Sequence, residues 1–507
     1  MKVLLVRPPY TRLRGVGQSP YFPLGLGYIA SVLKDNSFEV NIYHAENPRF
    51  KEEHMLIDPD VGFDFRSAGY HRYLKGIKDN NHYVWKEVEE TLKSYKPDII
   101  GISLLSVEVA SALKISQICK RYNDKCYVVW GGVHPTFLPD DCLKNKEVDF
   151  VIRGEGEYSM LELCQALRKG VSISEVRGLS FKNNGEIIHN PNREAIANLD
   201  EIPLPARNNV LYPESFDFRS LGSMIVSRGC PFRCTFCSSR NFWGREVRLR
   251  SPENVIKEIN TVKKLYGTSY FMFWDDSFTV NRKIIETYCN AIINSKLKIT
   301  WRTATRADLV DEQILRLIRK AGCVKLEIGV ESGSDRMKKI IYKDVTNNQI
   351  KKAFEMINKN GISSGAFFMA GFPEETLEDL NQTFQFMKEL NAGEIFLNIL
   401  DPMPGSTEYE KCIKFGLVPE NPDWNNFPFW PDAHYVRDIS RENFAECVNR
   451  MAKWLFSKNK SIKNRFRRNK YLVLSLLKND PVSLLTRTYR FIKRRRQCSD
   501  TSNFNDT

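Results

Sequence analysis

Ser-Arg-Gly-Cys-Pro-Phe-Arg-Cys-Thr-Phe-Cys, residues 227–237, is the stretch that decides the fold, because it sets Cys230, Cys234 and Cys237 in the spacing C-x3-C-x2-C. The spacing gathers three thiolates on one tight loop and offers no fourth nearby. A structural zinc ion takes four protein ligands in a closed tetrahedron. Cysteines can instead hold the corners of an iron–sulfur cube, and three of them leave one iron open to a further ligand.

Three unrelated core thiols and half of a zinc site are the alternatives, since cysteine is often buried simply as a small apolar residue. The Gly-Cys-Pro start, the aromatic Phe236 and the strand-like run 223–227 fit neither well and favour the iron–sulfur site. The pattern resembles the signature of the radical S-adenosylmethionine superfamily. The resemblance implies a [4Fe-4S] cluster whose open iron is chelated by the methionine part of S-adenosylmethionine, with Phe236 near the adenine.

The bulk composition is that of a folded protein, with 42% hydrophobic and 27% charged residues. The 507 residues predict about three domains at ~150 residues each. An apolar run near the ~20 residues of a membrane-spanning helix is absent from the sequence. Twelve cysteines in so long a chain suit a reducing compartment rather than a disulfide framework. We therefore expect a cytoplasmic protein.

The net charge of +14 is concentrated near the end of the chain. Residues 453–496 carry fifteen of the 75 Lys and Arg and one of the 61 acidic residues, so the rest of the chain is neutral. A solvated tail, a helix lying on an anionic membrane surface and a nucleic-acid contact would all use this charge. No RNA-binding module accompanies it, which disfavours nucleic acid.

Strands and helices alternate through residues 1–170, which predicts an α/β domain with a doubly wound parallel sheet. The strands are expected at 2–7, 40–44, 98–103, 126–130 and 149–153, and the helices at 27–34, 84–94, 107–121 and 158–167. Ligands bind such sheets at the carboxyl ends of the strands. Residues 171–215 are then expected to form a hairpin and a proline-stiffened linker.

This first domain resembles the cobalamin-binding domain that precedes many radical S-adenosylmethionine barrels. Pro8-Pro9, the segment 131–136 and Arg-Gly-Glu-Gly-Glu at 153–157 carry the resemblance. It implies cobalamin contacts from residues at the strand ends, namely Ser103, Gly131, Gly132, His134, Gly154 and Glu155. The Asp-x-His-x-x-Gly motif that places a histidine on cobalt is absent, so a ligand-free domain kept for packing or substrate binding is the alternative.

Six further βα units over residues 216–415 suggest a partial (β/α)6 barrel, with strands at 223–227, 270–274, 298–303, 325–329, 365–369 and 394–399. Barrel enzymes carry their chemistry at the carboxyl ends of the strands. The resemblance assigns the S-adenosylmethionine site to residues at these ends, namely Asp275, Asp276, Arg306, Glu331 and Ser332. Each alone could be a helix cap or a surface charge, but their recurrence at successive strand ends favours a site.

A helical region with the basic tail, residues 416–507, completes the domain order. The resemblance implies reductive cleavage of S-adenosylmethionine to a 5′-deoxyadenosyl radical, an external electron donor of the flavodoxin or ferredoxin type, and a small-molecule or lipid-like substrate. The leading hypothesis is cobalamin-dependent methylation of an unactivated carbon. A radical cyclase or rearrangement enzyme on the same scaffold is the second, and a non-catalytic cobalamin- or metal-binding sensor is the third.

Overall fold

The structure is a computed structural model, and it describes residues 1–15, 21–46, 62–213, 216, 220–425 and 434–479. Within these ranges the chain forms two large sheets covered by helices, together with a short two-stranded ribbon. No helix of this described part combines the length and the apolar character that crossing a membrane requires.

The first sheet has seven strands, which are β1 Lys2–Arg7, β2 Glu39–His44, β3 Ile99–Ser103, β4 Tyr127–Gly131, β5 Phe150–Ile152, β6 Leu179–Asn183 and β7 Glu186–His189. They lie in the order β2-β1-β3-β4-β5-β6-β7. The first five pair in parallel, which confirms the predicted doubly wound sheet. The hairpin of β6 and β7 continues the same sheet in antiparallel pairing and protects its edge.

Helices cover both faces of this sheet, and they are α1 Leu24–Asp35, α2 Phe63–Lys78, α3 Tyr83–Tyr95, α4 Val109–Tyr122, α5 Val133–Phe137, α6 Pro139–Lys144 and α7 Glu157–Lys169. Alternation along β1 shows how one strand serves two cores. Leu4 and Val6 pack with α2, α3 and α4, whereas Val3 and Leu5 pack with α1 and α7. Strand order reverses between β1 and β3, so their carboxyl ends open the crevice in which such sheets bind ligands.

The second sheet has six parallel strands, which are β8 Ser223–Met224, β11 Tyr270–Phe273, β12 Thr300–Thr305, β13 Cys323–Glu331, β14 Ser363–Ala370 and β15 Glu394–Ile399. They lie in the order β15-β14-β13-β12-β11-β8, which confirms the partial (β/α)6 barrel. The strand expected at 223–227 is divided, because the chain leaves the sheet after Met224. It then forms a separate antiparallel ribbon of β9 Ser227–Arg228 and β10 Arg248–Leu249.

The helices of the barrel region are α8 Ser239–Trp243, α9 Pro252–Tyr266, α10 Arg282–Asn294, α11 Glu312–Lys320, α12 Asp335–Ile340, α13 Asn347–Lys359, α14 Leu377–Glu389 and α15 Thr407–Lys414. Local chemistry sets their starts. Ser251, for example, caps α9 by accepting the N–H of Asn254 at 3.1 Å, and Pro252 follows at the first helical position.

The described part of the chain ends in two helices, α16 Arg441–Lys460 and α17 Ile462–Asn479. Helix α17 packs across the amino ends of the barrel strands, where the hydroxyl oxygens of Ser475 and Thr300 lie 2.6 Å apart and Leu476 is fully buried. The segment after the barrel also returns to the first domain, because Tyr409, Cys412 and Trp424 belong to one of its two cores. The two sheets are therefore joined by packing as well as by the linker.

Candidate active site

The cysteine loop begins at a backbone position that only glycine can occupy. Gly229 directly precedes Cys230 and has a φ of +109°, in the region that other residues rarely adopt. A Cβ atom at Gly229 would lie 1.9 Å from the backbone oxygen of Glu246 on the neighbouring chain segment. The N–H of Cys230 then donates to the backbone oxygen of Gly244 at 3.2 Å. These contacts hold the start of the loop against the ribbon.

The three thiols of the loop differ from the other described cysteines. Cys230, Cys234 and Cys237 are half-buried, whereas the other eight cysteines in the described ranges are buried. Burial raises the pKa of Cys230 to about 11 and also raises the pKa of Cys234. Cys230 and Cys234 are therefore neutral thiols until a metal binds, and metal binding must release their protons.

The donor set fits a [4Fe-4S] cluster better than a single ion. Across the described ranges, no three or more His, Cys, Asp and Glu side chains converge as ligands of one metal ion. In a cube each cysteine binds a different iron, so three sulfurs on one loop need not meet at a point. Three half-exposed thiols on a glycine-anchored loop match that requirement and leave one corner for another ligand.

Asp276 lies beside the cysteine loop with an accessible carboxylate. The hydroxyl of Ser239, on the helix that follows Cys237, donates to Oδ1 of Asp276 at 2.8 Å. Asp276 is exposed in its cleft, and the surrounding protein raises its pKa through desolvation. Its charge also raises the pKa of Cys230. The arrangement can accept an ammonium group next to the thiols.

Asp275, although adjacent in sequence, occupies a different environment. Its buried Oδ1 accepts the N–H groups of Val226 and Ser227 at 3.1 and 2.6 Å and the hydroxyl of Ser227 at 2.5 Å. Burial raises the pKa of Asp275 to about 6, and its other oxygen has no partner. This carboxyl holds the chain where it leaves β8 toward the cysteine loop.

Arg306 and Glu331 surround the middle cysteine. A guanidinium nitrogen of Arg306 lies 3.9 Å from Sγ of Cys234 and another donates to the backbone oxygen of Lys343 at 2.6 Å. Glu331, at a β-bulge and with a φ of +65°, accepts a hydrogen bond from Nζ of Lys343 at 2.9 Å. Positive φ is uncommon for a residue with a side chain and is often found at functional sites.

The side chains of Phe236 and Ser332 are less exposed than that of Asp276. The half-buried ring of Phe236 meets the ring of Phe372 edge to face, with centroids 6.0 Å apart. Ser332 is fully buried, and its hydroxyl oxygen lies 3.0 Å from that of Thr383 while it accepts the N–H of Ser334. Phe236 thus faces the loop region, whereas Ser332 supports the turn after β13.

The strand-end loops of the first domain form a shallow cradle beside the crevice. Gly132 has a φ of +100°, and a Cβ there would lie 2.9 Å from the backbone oxygen of Leu104 and 3.1 Å from Oγ of Ser103. Gly154 has a φ of +74°, and a Cβ there would meet no atom within 4 Å. A Cβ at Gly131 would make only ordinary contacts. The open space at Gly154 fits the approach of a large flat ring such as a corrin, whereas Gly132 allows the close approach of the loop that carries Leu104.

His134 is turned away from that cradle. It is fully buried, its Nδ1 lies 3.0 Å from the hydroxyl oxygen of Ser106, and its ring meets Trp424 edge to face at 4.9 Å. Burial lowers the pKa of His134 to about 3, so the ring is neutral. The structure therefore places His134 in the core beneath the loops. Its role as a direct cobalamin contact stays a prediction that this placement does not favour.

Glu155 lies between the two domains. Its carboxylate oxygens accept hydrogen bonds from Arg228 at 2.6 Å and from Arg248 at 2.8 Å. Burial alone would raise the pKa of Glu155, but the Arg228 charge and these hydrogen bonds hold it below its usual range. The carboxylate is thus engaged with the barrel domain rather than with the cradle.

Sequence reasoning missed several of these residues. Ser239 could have been found, because it follows Cys237 by two positions. Lys343 carries no motif, and Arg228, although it stands in the stretch 227–237, shows no partner in the sequence, since only folding brings the turn after α12 to Cys234 and the ribbon to Glu155. Tyr21 was also missed, and its ring meets the exposed Trp274 edge to face at 4.9 Å beside Asp275.

Comparison with known proteins agrees with both halves of this arrangement. The family model described as the radical SAM superfamily matches residues 224–387, and the B12 binding domain matches residues 63–164. An uncharacterized methyltransferase of Pyrococcus horikoshii is 32% identical over 422 residues, covering 82% of this chain and 84% of that protein. An anaerobic magnesium-protoporphyrin IX monomethyl ester cyclase of a Synechocystis species is 31% identical over 79% of this chain and 75% of its own length.

Among solved structures, the radical S-adenosylmethionine methyltransferase TsrM from Kitasatospora setae, with cobalamin and a [4Fe-4S] cluster bound, shares the fold. Its TM-score is 0.62 at 18% identity, over 81% of this chain and 75% of that one.

A half-exposed three-thiol loop on a partial barrel, beside a B12-type sheet, defines an iron–sulfur enzyme class. The chain belongs to the radical S-adenosylmethionine superfamily, in the group whose members carry a cobalamin-binding domain. Membership identifies its cofactors as a [4Fe-4S] cluster, S-adenosylmethionine and cobalamin.

Proposed function

We propose that this enzyme methylates an unactivated carbon of a small-molecule or lipid-like substrate in a cobalamin-dependent reaction. The observation that carries the proposal is the direct contact between the two cofactor loops. Glu155 follows Gly154 of the cradle, Arg228 lies two residues before Cys230, and the two side chains are joined at 2.6 Å. A methyl carrier and a radical source must lie near one another to serve one substrate carbon.

Seven residues of the site have a defined task in this proposal. Cys230, Cys234 and Cys237 hold the cluster, and Asp276 with Ser239 binds and orients the ammonium group of S-adenosylmethionine. Glu331, held by Lys343, is an acceptor for the ribose hydroxyls. When bound, the cofactors supply the electron, the radical and the methyl group, while the protein orients them and excludes water.

A radical cyclase on the same scaffold is the second candidate function. Its support is the cyclase relative, which matches this chain at nearly the same identity as the methyltransferase relative. The two reactions differ in their products rather than in the residues that bind the cofactors. Product analysis therefore separates them.

The test is anaerobic reconstitution of the full chain with iron, sulfide, hydroxocobalamin, S-adenosylmethionine and a reductant. Methyl transfer predicts S-adenosylhomocysteine together with 5′-deoxyadenosine. Formation of 5′-deoxyadenosine alone would favour cyclisation or rearrangement. Absence of both nucleosides from protein that holds iron and corrin would contradict the proposed activity and favour a sensor.

Radical S-adenosylmethionine enzymes draw their electron from an external donor, and we propose one of the flavodoxin or ferredoxin type.

We also propose that α17 brings the enzyme to an anionic membrane surface. Phe466, Leu474 and Leu477 are exposed on one face of the helix, opposite Ser475, which packs on the barrel. Segment 461–479 carries six Lys and Arg and no acid, which suits an interfacial helix.

Vesicle sedimentation tests this contact. We expect the protein to bind vesicles of phosphatidylglycerol and phosphatidylcholine but not of phosphatidylcholine alone, and the double variant L474E/L477E to lose binding. Leu265→Glu is the matched control, since Leu265 is similarly exposed on α9. Failure of the wild-type protein to bind the anionic vesicles would contradict membrane contact and leave a solvated tail.

A further inference from the structure

A buried cluster of four charges connects the corrin cradle to the cysteine loop. Arg228 donates to Glu155 through Nη1 and to Glu157 through Nη2, both at 2.6 Å. Arg248 donates to the second oxygen of Glu155 at 2.8 Å and to the backbone oxygen of Ile196 at 2.7 Å. All four side chains are at most 6% exposed. Buried ion pairs hold their geometry tightly, because breaking one leaves an uncompensated charge.

The ion cluster takes its two carboxylates from the first domain, beside the cradle, and its two arginines from the barrel, beside the cysteine loop. On the first domain, Glu155 follows Gly154, where the backbone is bare on the side of the cradle, and Glu157 begins α7. On the barrel, Arg228 and Arg248 are opposite each other across the ribbon. The chain runs from Arg228 through Gly229 directly to Cys230. Only a few rotatable bonds therefore separate the carboxylates that Arg228 binds from the first cysteine ligand of the iron–sulfur cluster.

The arginines are also positioned by aromatic rings from both domains. The guanidinium of Arg228 lies 5.3 Å from the ring centroid of Tyr28 on α1 and 5.1 Å from that of Trp243 on α8. Arg248 donates to the backbone oxygen of Trp243 at 3.1 Å. Helix α8 directly follows the cysteine loop. The ion cluster therefore contacts the chain both before and after the loop.

We propose that Glu155 and Arg228 are positioning residues that couple corrin binding to the conformation of the cysteine loop. A corrin that orders the backbone at Gly154 restrains Glu155, and Glu155 restrains Arg228 and the loop behind it. By thermodynamic linkage, ordering of the loop then favours corrin binding to the same degree. The inference rests on the proposed function, in which both cofactors serve one reaction, but it concerns coupling rather than the reaction.

Amide hydrogen exchange, measured on the full chain without its iron–sulfur cluster, tests the coupling. At saturating hydroxocobalamin, we expect amides of residues 229–244 to exchange about fivefold more slowly, or slower still, in the wild-type protein. Glu155→Gln and Arg228→Lys should lose most of this slowing, because lysine cannot bridge two carboxylates as arginine does. Exchange at 347–359 on α13 and the melting temperature report whether each variant is folded. If Glu155→Gln does not fold, Arg228→Lys carries the test.

The matched control is Glu258→Gln. Glu258 is fully buried and holds Arg207 of the linker and Arg250, the latter at 2.5 Å, in a second buried ion cluster that joins the linker to the barrel. We expect this variant to keep the coupling. Equal slowing in all variants, slowing lost in Glu258→Gln as well, or none in the corrin-bound wild type would each overturn the inference. Failure of the wild type to bind hydroxocobalamin would instead contradict the proposed function.

Discussion

The hydroxyl of Ser239 donates to Oδ1 of Asp276 at 2.8 Å, and this bond joins the exit of the cysteine loop to the end of β11. It fixes one carboxylate oxygen and leaves the other directed at solvent in the cleft. The pair therefore presents a pre-oriented anionic acceptor at a set position relative to the thiols. Pre-orientation reduces the entropy lost when a cationic ligand binds.

The first prediction concerns this acceptor. Asp276→Asn should weaken S-adenosylmethionine binding to the reconstituted enzyme by about tenfold or more, since a charge-assisted bond to the ammonium group becomes a neutral one. Ser239→Ala should cost less, because the charge remains and only its orientation is loosened. Equilibrium dialysis with labelled cofactor measures both. Unchanged affinity in Asp276→Asn would place the ammonium elsewhere.

A second prediction concerns the thiols. Replacing Cys230, Cys234 and Cys237 by Ala together should remove bound iron and sulfide and abolish cleavage of S-adenosylmethionine. Cys164→Ala is the matched control, because Cys164 is buried in α7 and remote from the loop. It should bind iron as the wild type does. A triple variant that still cleaves the cofactor would end the assignment of the cluster site.

The cradle supplies a third prediction through two glycines of similar conformation. Gly154 and Gly170 have φ values of +74° and +65°, and a Cβ at either would meet no atom within 4 Å. Substitution by Val therefore costs each a similar backbone strain. Only Gly154→Val should weaken hydroxocobalamin binding, because only that position lies in the cradle, at the carboxyl end of a strand of the sheet. Spectrophotometric titration compares them, and equal affinities would remove Gly154 from the corrin site.

A fourth prediction is a pH dependence of stability from Asp275. Its pKa is raised from 3.8 to about 6 in the folded chain. Between these values the folded state holds more protons than the unfolded state, so this carboxyl costs stability as pH rises through the window. The cost reaches roughly 3 kcal/mol above pH 6. Asp275→Asn lacks this cost, so its melting temperature relative to wild type should rise from pH 4 to 6 and then level off. A constant difference across these pH values would contradict the assignment.

The parallel sheet and the barrel could be predicted because periodic apolar strands and helices specify them locally. The cysteine loop could be predicted because its spacing is a local chemical requirement. Glu155 shows where such reasoning ends, since its sequence neighbours suggest a corrin contact while its partners lie 73 and 93 residues further along the chain. The adjacent Asp275 and Asp276 likewise look equivalent in sequence. They differ in burial, and burial depends on tertiary packing.

Helix α17 gives the barrel a polarity. By covering the amino ends of β12, β13 and β14, with Tyr471 close to Gly361 just before β14, it plugs that end of the barrel axis. Under the proposed function, substrate and cofactors would then share the opposite end of the barrel, where the carboxyl ends of the strands carry the cysteine loop. The order in which they bind and leave would follow from that shared opening.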